Sequence, residues 1–233
     1  MHTPDLRLDP TESGQRPQKL RQRHLHPLFL RASQLVIQDL LRGCQLMGRT
    51  RPARSREEKM GEILAVAERQ LREGGYQALS VAAIARRLGL AQNAVYWYFA
   101  SKDELFVATL RRMLAAISAG KPSKDVGDVE RILWFTEQFY ALSDLRGAMS
   151  ERARSSPTVA GFAAELDQLL SRMLAGALAG HVQPAELPVA VEAFRATVEG
   201  TFVKDLDEAS RRRVLDFALR QIIGAEAATA APR

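Results

Sequence analysis

The residues best suited to specific binding chemistry lie in one short stretch, "AQNAVYWYFASKDEL", residues 91–105. Two side-chain amides, Gln92 and Asn93, precede four consecutive aromatic residues, Tyr96 to Phe99, and Lys102 follows. A side-chain amide donates and accepts hydrogen bonds at once, and a lysine ammonium supplies three donors and a charge. The four aromatic residues stand together in a chain with only 15, so their crowding requires a structural or a binding reason. This composition is typical of a binding surface.

Catalytic chemistry has little material in this chain. The single cysteine, Cys44, and three of the four histidines (His2, His24 and His26) precede residue 55, and only His181 follows it. A metal site or a cysteine–histidine nucleophile needs several such residues together. No glycine-rich phosphate loop of the nucleotide-binding kinds is present. We therefore predict that the protein is not an enzyme and has no metal site and no cofactor.

Charge is distributed unevenly along the 233 residues. The net charge of +6 divides into +6 for residues 1–54, +2 for residues 55–102 and −2 for residues 103–233. A basic front end is typical of a chain that meets a polyanion there, although a solvated charged tail has the same composition. No secretory signal and no apolar run of roughly 18 residues is visible, and one cysteine fits a reducing compartment. We expect a cytoplasmic protein without a membrane partner.

The helical composition of the chain after residue 55 predicts an all-α fold. Residues 1–54 are predicted to be a disordered basic extension, and translation starting at Met47 is an open alternative for its first part. Residues 55–101 are predicted to form one small domain of three helices, at 56–73, 81–88 and about 91–99. Gly74–Gly75 ends the first helix, Ser80 caps the second, and Ser101 with Glu104 caps the helix that follows.

Two short helices joined by a glycine turn form a helix-turn-helix. Ala85 allows the two helices to cross closely, Gly89 supplies the turn, and Val95 packs back against the first helix. The segment "GGYQALSVAAIARRLGLAQNAVYWYFASKDEL" resembles the DNA-binding domain of the TetR family of bacterial transcriptional regulators. The resemblance covers about 50 residues. It implies a helix-turn-helix DNA-binding domain at 55–101, followed by a helical effector-binding and dimerisation domain at 102–233.

The resemblance assigns DNA binding to eight positions. Gln92 and Asn93 are the predicted base readers, because an amide pairs with adenine N6 and N7 and the first residues of a recognition helix enter the major groove first. Their alternative role is to cap the helix. Tyrosine hydroxyls and Lys102 would contact phosphates. The predicted DNA-binding residues are Ser80, Gln92, Asn93, Ala94, Tyr96, Trp97, Tyr98 and Lys102.

Helical geometry predicts different orientations for the four aromatic residues, since successive side chains differ by about 100°. Phe99 and, in part, Tyr96 are expected in the core, whereas Trp97 and Tyr98 are expected to face outward. Arg86 and Arg87, on the outer face of the preceding helix, would either contact phosphates or form a solvated surface.

The second domain is predicted to contain a dimer interface. A small DNA-binding unit gains affinity by occupying two half-sites about 34 Å apart, so we expect a homodimer. Apolar residues at three- and four-residue spacing mark the last two helices, and the resemblance implies a four-helix bundle between protomers. The alternative is an apolar stripe inside one protomer. The predicted interface residues are Val191, Phe194, Val198, Phe202, Leu215, Leu219 and Ile222.

The middle helices carry "LWFTEQFYAL" and nearby methionines, which the resemblance assigns to an effector pocket. The predicted pocket residues are Trp134, Phe135, Phe139, Met149 and Met173, with ordinary core packing as the alternative. Apolar walls favour a hydrophobic or amphipathic small molecule. The resulting hypothesis is a repressor that binds a palindromic operator as a homodimer and is released by this effector. Two alternatives remain: an architectural DNA-binding protein without an effector, and a ligand-binding dimer without sequence-specific DNA binding.

Overall fold

The computed structural model describes residues 53–123, 125–204 and 206–229, and these residues form helices without any strand. The predictions for residues 1–52, including the start at Met47, lie outside this part of the chain. Residues 53–54, predicted to belong to the extension, are already helical. In chain order the helices are α1 (Ala53–Ala78), α2 (Val81–Arg87), α3 (Gln92–Tyr96), α4 (Lys102–Ala119), α5 (Asp128–Tyr140), α6 (Ser143–Ala153), α7 (Pro157–Leu178), α8 (Leu187–Val203) and α9 (Glu208–Thr229).

The helix boundaries follow local signals in the sequence. At Gly74 and Gly75 the backbone of α1 leaves helical geometry, with φ of 62° at Gly75, where a side chain would be strained. The predicted stop therefore appears as a break, after which one further turn reaches Ala78. Ser80 caps α2 by accepting a hydrogen bond from the Ala83 amide, as predicted. Ser101 caps α4 by accepting from the Glu104 amide at 3.0 Å, as predicted.

Two hydrophobic cores organise the described residues. The first joins α1 to α4 and extends to Leu145 on α6 and to Val159 and Phe162 on α7. The second joins α5, α7, α8 and α9 around Leu178, Leu215 and Leu219. The helix-turn-helix is thus packed directly on the remaining helices, and the boundary predicted at residues 101–102 does not separate two cores. No helix within the described residues is long and apolar enough to cross a bilayer.

Candidate nucleic-acid interface and ligand cavity

The helix-turn-helix is built by α2, α3 and the turn between them. Gly89 adopts φ of 64°, a conformation that favours glycine, and the Leu90 amide donates to the Ala85 carbonyl at 2.9 Å. Val95 is fully buried and Ala85 almost so, which brings α3 close to α2. The Ser80 amide also donates to Gln70 Oε1 at 3.0 Å, which fixes the start of α2 against α1. The predicted packing roles of Ala85, Gly89 and Val95 are confirmed.

The two amides predicted to read bases lie at the exposed start of α3. Gln92 and Asn93 are its first two residues and both are exposed, while Ala94 is half-buried. The cap residue is Ala91, and no side-chain hydrogen bond caps this helix. The capping role considered for Gln92 and Asn93 is therefore not observed, and both amides face solvent.

The aromatic stretch divides between core and surface, with one correction to the prediction. Phe99 is buried and Trp97 is 65% exposed, as expected. Tyr96, expected to be partly in the core, is instead 40% exposed, and Tyr98, expected outside, is half-buried against the first core. The reason is that α3 ends at Tyr96 and the chain tightens into a turn. There the Tyr98 amide donates to the Val95 carbonyl three residues back, at 3.0 Å.

Trp97 is exposed but has two aromatic or cationic neighbours. The Tyr98 ring meets it edge to face at a centroid distance of 5.0 Å. The guanidinium carbon of Arg56, in the first turns of α1, lies 4.7 Å from the centre of the Trp97 ring. The sequence reasoning missed Arg56, because nothing in the local pattern places α1 beside the end of α3.

Lys102 lies at the start of α4 and is half-buried. Its Nζ is 4.3 Å from the centre of the Tyr76 ring, a cation–π contact. Burial lowers the pKa of Lys102, and the neighbouring charge of Asp103 opposes that shift. The ammonium therefore lies beside the helix-turn-helix with a defined orientation.

Asp103 connects three helices at this point. Its carboxylate accepts a hydrogen bond from the Tyr76 hydroxyl at 2.6 Å and two from the Arg152 guanidinium, at 2.6 and 3.2 Å. Burial alone would raise the pKa of Asp103, but the hydrogen bonds from Arg152, Tyr76 and Ser156 outweigh it and lower the pKa to about 2. Burial, and then the bond to Asp103, raises the pKa of Tyr76 to about 12. Sequence patterns had not indicated this cluster.

A cavity of about 310 Å³ lies between α4, α5, α6, α7 and α8. Phe135, Phe139, Met149 and Met173 line it, whereas Trp134 does not. On α5 the cavity-lining residues are spaced three and four apart, and Trp134 lies off that stripe. Sequence reasoning missed several further apolar lining residues, including Leu110, Phe162, Leu166, Phe194, Val198 and Phe202.

Six charged residues also line the cavity, and each has an ionic partner. Arg146 Nη1 donates to both carboxylate oxygens of Glu199, at 2.7 and 2.9 Å, and Arg195 forms an ion pair with Asp167. Asp128 accepts from His181 at 3.1 Å and lies 3.2 Å from Arg131. The cavity is therefore mainly apolar, and the charges of its lining residues are paired. Within the described residues, no three His, Cys, Asp or Glu side chains are grouped so as to hold a metal ion.

Four of the predicted dimer-interface residues lie inside the protomer. Val191, Phe194, Leu215 and Leu219 are buried inside the protomer, in the second core. Val198 and Ile222 pack against the same core, and Phe202 stacks on Tyr140 at a centroid distance of 4.7 Å. Most of this stripe is therefore intramolecular, because α8 packs against α7 and α9, and α9 packs against α8 and α5.

A second set of apolar residues on the last two helices remains exposed. Val189 is 64% and Val203 83% exposed on α8, and Phe217 is 65% exposed on α9. Val214 is also exposed. A stripe of small and apolar residues runs along α8 at steps of three and four positions. It consists of Val189, Ala193, Ala196, Gly200 and Val203, of which all but Gly200 are exposed.

The geometry of α2, the glycine turn and α3, with exposed amides at the start of α3, defines a helix-turn-helix DNA-binding protein. Residues 63–109 match the family model "Bacterial regulatory proteins, tetR family". Residues 63–109 therefore form a helix-turn-helix domain of the TetR family, as the motif indicated.

Known relatives match only part of this chain. The HTH-type transcriptional regulator Rv1816 of Mycobacterium tuberculosis is 42% identical over 64 residues, which is 28% of this chain and 26% of that protein. The HTH-type transcriptional activator FasR of Mycolicibacterium smegmatis is 31% identical over 90 residues, covering 35% of this chain and 41% of the relative. The chain thus spans about a quarter of the length of the first of these relatives and less than half of the second.

The fold extends the likeness beyond the helix-turn-helix. A transcriptional regulator from Rhodococcus sp. Rha1 superimposes with a TM-score of 0.58 at 20% identity, over 71% of this chain and 96% of that one. The similarity at this identity concerns the arrangement of helices.

Proposed function

We propose that this TetR-family regulator binds a palindromic operator as a homodimer and that a small apolar molecule in the cavity changes its affinity for DNA. The observation that carries the proposal is the position of α4. Its first turn, with Lys102 and Asp103, adjoins the helix-turn-helix, and Leu110 and Leu114 further along it line the cavity. An 18-residue helix is about 27 Å long, so one rigid element contacts both sites.

The DNA-binding half of the proposal rests on exposed groups at the start of α3. Gln92 and Asn93 occupy the position from which a recognition helix contacts base edges, and an amide pairs bidentately with adenine. Lys102 and the tyrosines Tyr96 and Tyr98 supply donors for phosphates on either side. Ser80 fixes the start of α2 by accepting from the Ala83 amide, and its hydroxyl can still donate to a phosphate oxygen.

The dimer is proposed to form through the exposed faces of α8 and α9. Exposed apolar side chains lower solubility unless a partner covers them. On these two helices they are Val189, Val203, Val214 and Phe217. Between the valines of α8 lie Ala193, Ala196 and Gly200, whose small size permits close helix approach. A four-helix bundle with the same helices of a second copy would bury this face and present two recognition helices.

The effector is proposed to be largely apolar. The cavity walls are Leu, Ile, Phe and Met side chains, and the charged groups at its edges already have partners. A ligand with a net charge would have to break one of these pairs or remain uncompensated in a desolvated site, which is costly. An uncharged or amphipathic molecule fits without that cost.

Repression is the proposed direction of regulation by analogy with the family, and the relative FasR is named as an activator. A cytoplasmic location is proposed from the function, since the operator is there.

Selection of bound sequences from a random duplex pool at about 150 mM salt tests the proposal directly. Chains that start at Met1 and at Met47 are compared. A palindromic motif from both would support a dimeric sequence reader and supply a probe for effector screening. Weak, salt-sensitive binding to any duplex would favour an architectural role, and the absence of DNA binding with retained dimerisation would favour a ligand-binding role.

A further inference from the structure

The described residues that line the cavity differ in exposure, and the difference shows where the cavity opens to solvent. Most of them are buried or half-buried, whereas Ser150, Asp167 and Glu199 are exposed. These three residues lie on α6, α7 and α8, respectively. The mouth of the cavity is therefore bounded by these three helices, while the lining residues of α4 and α5 belong to its interior.

Two ion pairs lie at this mouth, and each joins a different pair of its helices. Arg146 Nη1 on α6 donates to both carboxylate oxygens of Glu199 on α8, at 2.7 and 2.9 Å. Arg195 on α8 pairs with Asp167 on α7 and also donates to the Ser171 hydroxyl. All four charged residues line the cavity. A molecule that enters from solvent between these helices therefore meets the two ion pairs first.

A column of stacked groups anchors the α8 side of the mouth. Phe202 stacks on Tyr140 of α5, with 4.7 Å between the ring centroids and 16° between the ring planes. The guanidinium carbon of Arg211 lies 3.3 Å from the centre of the Tyr140 ring, and Arg211 pairs with Glu137 of α5 at 2.7 Å. The guanidinium carbon of Arg146 lies 4.2 Å from the centre of the Phe202 ring. Arg146 therefore closes the mouth against a ring that α5 and α9 hold in place.

We propose that the Arg146–Glu199 and Arg195–Asp167 pairs form a gate that controls the entry of apolar molecules into the cavity. This role rests on the proposed function of the cavity as an effector site and names how entry to that site is controlled. An exposed ion pair stabilises its closed position only weakly, so it opens often and can form again behind an uncharged molecule. Because salt screens exposed charges, the gate makes the rate of entry depend on salt concentration.

The Arg212–Glu130 pair provides a matched comparison outside the cavity. It joins α9 to α5 with an N–O distance of 2.7 Å, and its side chains are 43% and 56% exposed, against 38% and 59% for Arg146 and Glu199. Neither Arg212 nor Glu130 lines the cavity. Loss of this pair removes the same kind of contact between helices, so a general loosening of the fold would follow from either loss, whereas an open mouth would follow only from loss of the gate.

Modification of a cysteine inside the cavity measures how often the mouth opens, without an effector or DNA. In the full chain with Cys44→Ser, Thr136→Cys places a thiol at a buried position that lines the cavity. The probe is N-ethylmaleimide, an uncharged reagent whose approach is not steered by surface charge. When opening and closing are faster than the reaction, the modification rate follows the population of the open form. Ala163→Cys on α7 provides a second thiol in the cavity lining.

Loss of either ion pair should make the cavity thiol more accessible. Glu199→Gln is expected to raise the modification rate about two- to fivefold at low salt, which is the factor that a weak exposed pair supplies. Asp167→Asn should have a similar effect, and the two factors should multiply in the double variant, because both pairs close the same mouth. An increase from about 50 to about 500 mM salt should accelerate modification when the pairs are intact but not in the double variant. Glu130→Gln should leave the rate unchanged.

Two results would overturn the gate. One is an unchanged modification rate in both Glu199→Gln and Asp167→Asn, and the other is an equal acceleration by Glu130→Gln, which would indicate general loosening of the helices. Thermal unfolding of each variant separates loss of the gate from loss of folded protein. Because labelling requires neither operator nor effector, failure of the gate leaves the operator selection unaffected, and failure to select an operator leaves the labelling result unaffected.

Discussion

The guanidinium of Arg152 binds the carboxylate of Asp103 through two hydrogen bonds, with Nη2 2.6 Å from Oδ2 and Nε 3.2 Å from Oδ1. Arg152 lies in the last turn of α6, whose residues Leu145, Arg146 and Met149 line the cavity. Asp103 lies in the first turn of α4 and also accepts from Tyr76 in the last turn of α1. A polar connection thus runs from the cavity wall to the base of the helix-turn-helix.

Asp103→Asn should destabilise the protein in a pH-dependent manner. The pKa of Asp103 is lowered from 3.8 to about 2 in the folded state. The stabilisation by its ionised form is therefore complete above a pH of about 4 and is lost as the pH falls towards about 2. At pH 7 the loss of charged hydrogen bonds is expected to cost about 1–3 kcal/mol, measured by urea unfolding.

The comparison across pH identifies the cause of that loss. The difference between native chain and Asp103→Asn should shrink between about pH 4 and pH 2, because protonation removes the same charge. A constant difference over this range would contradict the assigned pKa shift. Glu73→Gln, an exposed carboxylate on α1, is the control and should change stability little.

Filling the cavity should abolish its capacity to bind apolar molecules. Ala163 lines the cavity, and Ala163→Phe places a ring in a space of about 310 Å³. The expected result is at least a tenfold weaker affinity for an apolar fluorescent dye, since roughly 1.4 kcal/mol of lost contact gives that factor. Trp134→Phe, outside the cavity lining, should leave dye binding unchanged. Equal dye affinity in native chain and Ala163→Phe would place the dye elsewhere.

The helix-turn-helix was predictable from sequence because its determinants are local. Ser80, Gly89 and Ser101 act within three or four residues of their positions, through caps and a left-handed turn. The details that failed depend on a helix ending early or on distant packing. Tyr96 and Tyr98 exchanged exposure because α3 is only five residues long, a length that tertiary contacts decide.

The last two helices show the limit of apolar periodicity. On α8 one apolar face contains Val191 and Phe194 and another contains Val189 and Val203. The pattern of spacing alone does not say which face meets the protomer's own core and which remains outside. Only the packing of α7 and α9 against the first face of α8 makes the second face available.

Charged substitutions on the exposed face should therefore dissociate the proposed dimer without unfolding the protomer. Val203→Arg and Phe217→Arg alter side chains that are 83% and 65% exposed, so the core is unaffected. In a bundle interface each would bury an unpaired charge, which costs several kcal/mol. Sedimentation equilibrium should show monomers with native helix content. Ala65→Arg, exposed on α1, should remain as dimeric as the native chain.

Substitution of the two amides on α3 should change the base preference of the protein more than the salt dependence of its DNA binding. Gln92→Ala and Asn93→Ala remove neutral hydrogen bonds, so each is expected to cost about 1–3 kcal/mol on the selected operator and to relax preference at one base pair per half-site. The slope of affinity against salt should stay at the native value, because a neutral amide does not neutralise a phosphate. Repeated sequence selection with each variant measures the preference position by position. A uniform loss of affinity across all sequences, with every base preference retained, would show that these amides contact the DNA backbone. Gln77→Ala, at an exposed position of α1 outside the recognition helix, is the matched amide control.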